Sequence, residues 1–544
     1  MAILIRDTAF GRTLSLFTKP SGLNPHRATA DTDIHPSKND LVPEAVYLVD
    51  WTGPTDQDNP RNWPSWLKLL VLCNVLIVNL SFYTAPGIYS ASMTPIQESL
   101  GASYEVAMLG LSLFVIAYGV GPLILSPISN LPAIGRTPVY VLGSLAFCLF
   151  SIGAALAKNI ETVIILRVLG GLVGASPTCI GGTTIAEVFG PRELPYALAV
   201  YVLSGVCGPA FGPLLGTAVV DRWGSWSAAL WLIAGIAAMS TVFMFFLLPE
   251  TLADNILYRR AAHLRQVTGD NRYCSPSEAE TTENNLFRAM LEQIAVDFRL
   301  SFIDPVILFI NIHTMFIYGI LYLWYEFFPY VAFFGIFVGA VISVSSYMLW
   351  IHYYFQPHVA RKEASNEIVE PEEQILPGAV GAICIPICLF IFGWTSRENV
   401  HWILPIIGTA FFAPGFHLTF QTVLNYMGQS YPSHVAGVFA GNAFFRSAFG
   451  GALPLAARRM LQSLGIGWAS SILGFISLGM IPPLFVLYRV RFPSSPFLLP
   501  SKPLEFLDFL FVLTFENQTS TARNGARRVN MQASKPSCWE RKEG

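Results

Sequence analysis

Ser204-Gly205-Val206-Cys207-Gly208-Pro209-Ala210-Phe211-Gly212-Pro213-Leu214-Leu215-Gly216 is the stretch on which the reading of this chain turns. Within the apolar run from Tyr196 to Thr217, Gly205, Gly208, Gly212 and Gly216 recur at helical spacing. They leave one helix face bare, against which a second helix can lie closely. Pro209 and Pro213 each remove a backbone donor and bend the helix. In water such a segment is a poor helix, but in hydrocarbon the freed backbone groups have no solvent to turn to, and neighbouring helices keep it helical. The stretch predicts a membrane helix whose smooth face packs or slides against another.

Composition agrees. Of 544 residues, 53% are hydrophobic and only 12% charged, with a mean hydropathy of +0.50, too few charges to cover a soluble globule of this size. The net charge of −2 and the lack of a separate basic domain exclude a nucleic-acid partner. Cys73, Cys148, Cys179, Cys207, Cys384 and Cys388 lie inside apolar segments and read as small hydrophobes, not as a disulfide framework.

Working outward, apolar runs long enough to cross a hydrocarbon core of about 30 Å begin near Leu67, Ala107, Pro138, Val163, Tyr196 and Trp226. They resume near Ile303, Val331, Pro377, Trp402, Val435 and Trp468, which makes about twelve helices, six and six. The expected organisation is a mostly disordered cytosolic tail (1–66), a first six-helix half (67–248), a cytosolic linker (249–302), a second half (303–489) and a cytosolic tail (490–544). Within that last tail, Leu504 to Phe515 reads as an interfacial or loosely packed segment. Trp63 and Trp66 precede the first span, where aromatic rings favour the membrane interface. Arg136, Arg192, the linker arginines, Arg361 and Lys362 place both termini in the cytosol, as a bias that Lys158, Arg222, Arg397, Arg458 and Arg459 run against. The sequons at Asn79 and Asn517 fall in a span and in the cytosolic tail, so neither is expected to carry glycan.

The glycine-proline stretch resembles the G-x-x-x-G-P-x-x-G-P-x-x-G signature in the fifth helix of proton-driven antiporters of the major facilitator superfamily. Other stretches point the same way. Asn59-Pro60-Arg61-Asn62-Trp63 resembles the lead-in to the first helix of fungal drug and polyamine proton antiporters, Pro249-Glu250-Thr251 the exit motif of fungal members, and Gly441-Asn442 to Gly451 their eleventh helix. The resemblance covers most of Asn59 to Arg489. It implies an all-α membrane protein with twelve transmembrane helices in two pseudo-symmetric halves, the major facilitator fold.

Residue roles follow from that resemblance. Arg167, followed by Gly170, Gly171 and Gly174, resembles the fourth-helix motif whose arginine is linked to proton coupling; the alternative is an arginine snorkelling to the headgroups. Gly170 stands where the family has Gln. The connection from Gly121 to Pro138 resembles the cytoplasmic gating loop and retains Gly135 and Arg136. It has Asn130 where the family has an acid and Thr137 where it has a second arginine, and is lengthened around Pro132-Ala133-Ile134, so the inward latch is expected to be weaker.

In the second half, Glu326 is either a proton-exchanging carboxylate or an exposed loop acid, and the chain runs on to the eighth helix with an unusually short connection. His417, Gln421 and Asn425 form a polar stripe at i, i+4, i+8. Gln421 and Asn425 are expected to line the substrate path or to bond helix to helix, and His417 to be structural. Asn442 and mid-span Arg446 are candidate cavity residues, the arginine needing an acceptor such as a carboxylate or helix carbonyls.

No G-x-x-x-x-G-K-[ST] loop is present, and no helix presents a metal-ligand pair or a nucleophile beside a base. An ATP-driven pump, a metal centre, a cofactor and an enzyme are therefore not expected. The expected activity is secondary transport, as a proton-coupled antiporter exporting a small organic compound (a drug, toxin, secondary metabolite or polyamine) by alternating access. A proton-driven importer and a non-transporting, sensor-like paralogue are the alternatives. The implied partners are the lipid bilayer, the small-molecule substrate and protons, in a monomer at the plasma membrane or the vacuolar membrane.

Overall fold

Each apolar run becomes helix because a backbone in hydrocarbon must satisfy its polar groups within its own segment. The computed structural model describes residues 6–17, 47–280, 295–296, 298–327, 333–365, 371–397, 399–430 and 435–484. A short helix α1 (Ala9–Phe17) precedes the first half, which comprises α2 (Ser65–Ser90), α3 (Met93–Leu100), α4 (Tyr104–Asn130), α5 (Arg136–Ala155), α6 (Ile160–Gly174), α7 (Ser176–Val188), α8 (Leu194–Trp223) and α9 (Trp226–Leu247). After α10 (Ala253–Thr268) come α11 (Pro305–Phe327), α12 (Phe333–Trp350), α13 (Gln356–Ala364), α14 (Leu376–Thr395), α15 (Ile403–Ala410), α16 (Phe412–Ser430) and α17 (Val435–Gly479).

Among the described residues, ten helices are long and apolar enough to cross a membrane. Twelve passes result because two features hide one each. α6 and α7 together make one pass interrupted at Ala175, and α17 is two passes joined at Gly465, whose φ of 70° breaks the helix. That backbone conformation suits glycine alone among ordinary residues. Large apolar side chains such as Leu142, Leu145, Leu149, Ile342, Leu349 and Phe475 are exposed around the bundle, the surface a protein presents to lipid tails.

Part of the segment expected to be disordered has defined structure. Tyr47–Leu48 (β1) pairs in parallel with Tyr273–Cys274 (β2), and Arg260 on α10 bonds Asp56 at 3.0 Å and Asp58 at 2.9 Å. Burial works to raise the Asp56 carboxyl, but hydrogen bonds from the Thr52 amide, Arg260 and the Asp58 amide outweigh it and hold it below the usual carboxylate range. Trp63, expected at the interface, is instead buried in the core at 4% exposure, while Trp66 is exposed. Residues 18–46, the connection 328–332 and the segment 485–544, which includes Asn517 and Leu504 to Phe515, lie outside the described residues.

Candidate functional site

α8 carries the glycine motif against α2. A methyl built on Gly208 would stand 2.5 Å from Tyr83 Cβ, one on Gly212 2.6 Å from Thr84 O, and one on Gly216 2.6 Å from Ile88 O. Only bare backbone permits that approach. Gly205 differs, since its methyl would meet nothing nearer than Tyr83 at 3.7 Å, and it faces the central cleft. Both helices belong to the first half, so the motif packs inside one half and is not the surface along which the halves move.

The prolines act on the other side of α8. Pro213 has no N–H, so the carbonyl of Pro209, four residues earlier, loses its helical donor. Tyr325 on α11 donates its hydroxyl to that carbonyl at 3.4 Å, and Phe211 packs on Phe337 of α12 with centroids 5.0 Å apart. The bend therefore joins the halves at the end of the bundle remote from the N-terminus.

At the end that carries the N-terminal segment, charges converge. Arg136 donates through Nη2 to Glu187 at 2.7 Å and through Nη1 to Ser129 at 2.9 Å. Its backbone N–H donates to Glu250 at 2.8 Å, and the Thr137 N–H to the same carboxylate at 3.3 Å. Thr251 donates its hydroxyl to Glu187 at 3.0 Å, and Asn255 its amide to the Pro132 carbonyl at 2.6 Å. The acid absent at Asn130 is thus replaced from elsewhere: Glu187 holds the arginine side chain, and Glu250 of the exit motif holds the loop backbone. The expected weakening is not what the geometry displays. Gly135, at φ 82°, brings the chain close to Glu250, which stands 2.5 Å from where a methyl on that residue would lie.

The N-terminal segment enters this network, and nothing in the sequence signalled it. Arg12 on α1 bonds Glu250 at 2.9 Å, Asp7 bonds Arg259 at 2.5 Å, and the Glu250 N–H donates to the Asp7 carbonyl at 3.2 Å. Thr8 bridges Pro249, and Phe10 packs on Phe245 and Phe246. Burial and the neighbouring Arg259 lower the Arg12 guanidinium from its ordinary value, against the pull of Glu250. At the same end Arg192 meets Glu363, and Gln356 donates to the Arg192 carbonyl at 2.9 Å, which ties the first half to the second.

Between the two ends lies a narrow cleft of about 20 Å³, room for about one water molecule as the halves stand here. The first half lines it with Asn79, Tyr83, Tyr201 and Gly205, and the second with Phe420, Phe439, Asn442 and Arg446. Asn442 donates to Asn311 at 2.9 Å and to Thr314 at 2.8 Å. Among the described residues Arg446 has neither of the acceptors expected for it, carboxylate or helix carbonyl. It lies over the rings of Tyr318 (4.9 Å) and Phe420 (4.6 Å) and donates to the Tyr83 hydroxyl, while its Nε and Nη1 have no partner. Tyr118 and Tyr318 bond each other across the halves through their hydroxyls.

Other candidates fall elsewhere. Arg167 is buried at 4% exposure, not snorkelling; its Nε donates to the Gly110 carbonyl at 2.9 Å, and the guanidinium sits over Tyr89 and Phe114 at 4.2 and 4.4 Å. Gly170, where Gln was expected, lets Phe147 and Phe150 of α5 approach. Gln421 and Asn425 do not line the cleft: they bond each other at 3.2 Å, and Asn425 donates to Tyr347 at 3.0 Å, which is helix-to-helix bonding. His417 bonds Ser343 at 3.0 Å and the Ala199 carbonyl at 3.3 Å, a structural link between halves. The side chains of Glu326 and Cys179 lie outside the described residues.

Residues 75–454 match the family described as the Major Facilitator Superfamily. The chain is 38% identical to Transporter mfs1 of Schizosaccharomyces pombe, over 83% of this chain and 88% of that one. It is 35% identical to the cycloheximide resistance protein of Candida maltosa, over 80% and 82% respectively. The solved structure of a proton:xylose symporter superposes with a TM-score of 0.53 at 14% identity, covering 78% of this chain and 96% of that one, which speaks for the fold alone.

Proposed function

The chain belongs to the major facilitator superfamily, and on that premise we propose that it is a proton-coupled antiporter that exports a small, largely apolar aromatic compound by alternating access. It is a multi-pass membrane protein, and the reading places it as a monomer in the plasma membrane. The observation that carries the proposal is the cleft built jointly by both halves, with Asn79 and Tyr83 on one side and Asn442 and Arg446 on the other. Such a cleft at the midplane between the two pseudo-symmetric halves is where alternating access needs a substrate to sit.

Two closures bound it. Tyr325 on Pro209 and Phe211 on Phe337 shut one end. Arg192 with Glu363 and Gln356 ties the other between halves, where Arg136, Glu187, Glu250 and Arg12 brace the first half. Rocking one half against the other requires one set of contacts to break while the other holds. The name of the Candida maltosa relative speaks of resistance to cycloheximide, which supports export as the direction. Arg167, held by a carbonyl and two rings with its Nη2 unpartnered, is the group whose surroundings would change with proton entry.

Expression in yeast lacking its own efflux pumps tests this. Efflux of labelled lipophilic compounds should be abolished by a protonophore and lost in Arg167→Ala at unchanged surface level. Absence of efflux from a protein that reaches the plasma membrane would reject transport.

A further inference from the structure

Two cations sit deep in the bundle, and no described carboxylate meets either. Among the described side chains, the acidic residues of the spans stand near helix ends: Glu105 and Glu161 in first turns, Glu187 and Asp221 near last turns. Among the described side chains, Arg167 and Arg446, at 4% and 3% exposure, have no carboxylate partner. An uncompensated buried charge is strongly destabilising, as an arginine at the centre of a bilayer is. The faces of Tyr318 and Phe420 hold the Arg446 charge by cation–π attraction, but a neutral ring leaves the charge in place.

The two arginines differ in what they face. Arg167 spends its Nε on the Gly110 carbonyl, whereas Arg446 lines the cleft with Nε and Nη1 both unpartnered, two donors on the two edges of the guanidinium that flank Nη2. Either edge can donate to a carboxylate oxygen, and the full positive charge strengthens that bond. An unpartnered acceptor lines the same cleft. Ser204 gives its hydroxyl proton to the Tyr201 carbonyl and so must accept from the Asn79 amide, which leaves Asn79 Oδ1 without a donor. Around these polar atoms the walls are aromatic: Tyr83, Tyr201, Phe420 and Phe439.

Resting on the export reading above, we infer that the cleft binds the carboxylate of an aromatic acid on Arg446, with the ring between the aromatic walls and a neighbouring O–H or N–H of the substrate on Asn79. The anion completes the arginine, so binding is stronger for the acid than for any neutral analogue of the same shape. A polyamine meets only like charge there and is excluded.

Full-length protein reconstituted in phosphatidylcholine vesicles is tested with benzoate, 1-naphthoate and indole-3-acetate, their methyl esters, and spermidine. Binding and proton-gradient-driven flux are measured for wild type, Arg446→Gln and Arg446→Lys. Wild type should bind at least one acid tenfold or more tighter than its ester and should not bind spermidine. Arg446→Gln should lose that preference while keeping the ester affinity; Arg446→Lys should retain part of it, and thermal melting shows whether each variant folds. Esters bound as tightly as acids, spermidine bound in their place, no binding of any acid, or an unchanged acid preference in a folded Arg446→Gln would overturn the inference. Proton-driven flux of the esters with no preference for acid would leave the export reading standing alone; no flux of any compound removes both.

Discussion

Adding one methyl to the α8 face separates packing from gating. In Gly212→Ala the new carbon would stand 2.6 Å from Thr84 O and 2.7 Å from Gly87 Cα, both backbone atoms that no rotamer can move. Carbon atoms in good contact lie about 3.5–4.0 Å apart, so α2 and α8 must separate by roughly 1 Å along that contact. Overpacking of this kind costs about 1–3 kcal/mol, and a gap of that size forfeits up to about half of each lost dispersion contact. We take about 2 kcal/mol, a shift of roughly 4–8 °C in melting temperature for a unit the size of one half. Gly205→Ala is the internal control: its methyl lies 3.7 Å from Tyr83, an ordinary contact, and costs about 0.5 kcal/mol or less in stability. Because α2 and α8 share one half, Gly212→Ala should lower the melting temperature without biasing which end of the cleft is open. Thermal unfolding in detergent, beside cysteine labelling from each side of the membrane, measures both. Equal melting of Gly212→Ala and wild type, or equal loss in both glycine variants, would refute the argument.

Three further outcomes are expected. Glu187→Gln leaves the buried Arg136 guanidinium without its anion, destabilising the closed N-terminal end by about 3–5 kcal/mol, and the pair Arg136→Met with Glu187→Leu should recover most of the stability; a double-mutant cycle on melting temperature decides it. Arg12→Ala removes a charged hydrogen bond to Glu250 of about 1.5–3 kcal/mol, so the N-terminal segment should undock and be cleaved by added protease several-fold faster, and unchanged cleavage would deny that this bond holds the segment. The Asp56 carboxyl lies below its usual range in the folded protein, so its contribution is present above the unfolded value of about 3.9 and is lost as pH falls through the lower folded value. Docking of Trp51 beside Arg260, followed by fluorescence, should therefore be weaker in Asp56→Asn than in wild type at pH 6, and the two should converge below about pH 4.

What the linear chain determined was whatever lipid demands of every segment separately. A run of apolar residues must close its own hydrogen bonds, so span positions and the bare face at Gly208, Gly212 and Gly216 were legible from spacing alone, though not that α2 would fill it. Arg446 was recognisable as an interior charge for the same reason: its cost is set by its depth. Partnership was not legible, because it depends on which distant segments meet. Asn130 looked like a lost latch until Glu187, 57 positions further on, and Glu250 arrived beside Arg136. Gln421 and Asn425 form a polar stripe that suits a cavity wall and a helix contact equally, and only Tyr347 on α12 distinguishes them. The docking of Asp7 and Arg12 has no periodicity to announce it, since a few charged contacts from a polar tail leave no pattern in the residues around them. Burial is a property of a segment and can be read along the chain, whereas pairing is a property of two segments and appears only when the tertiary structure brings them within hydrogen-bond reach.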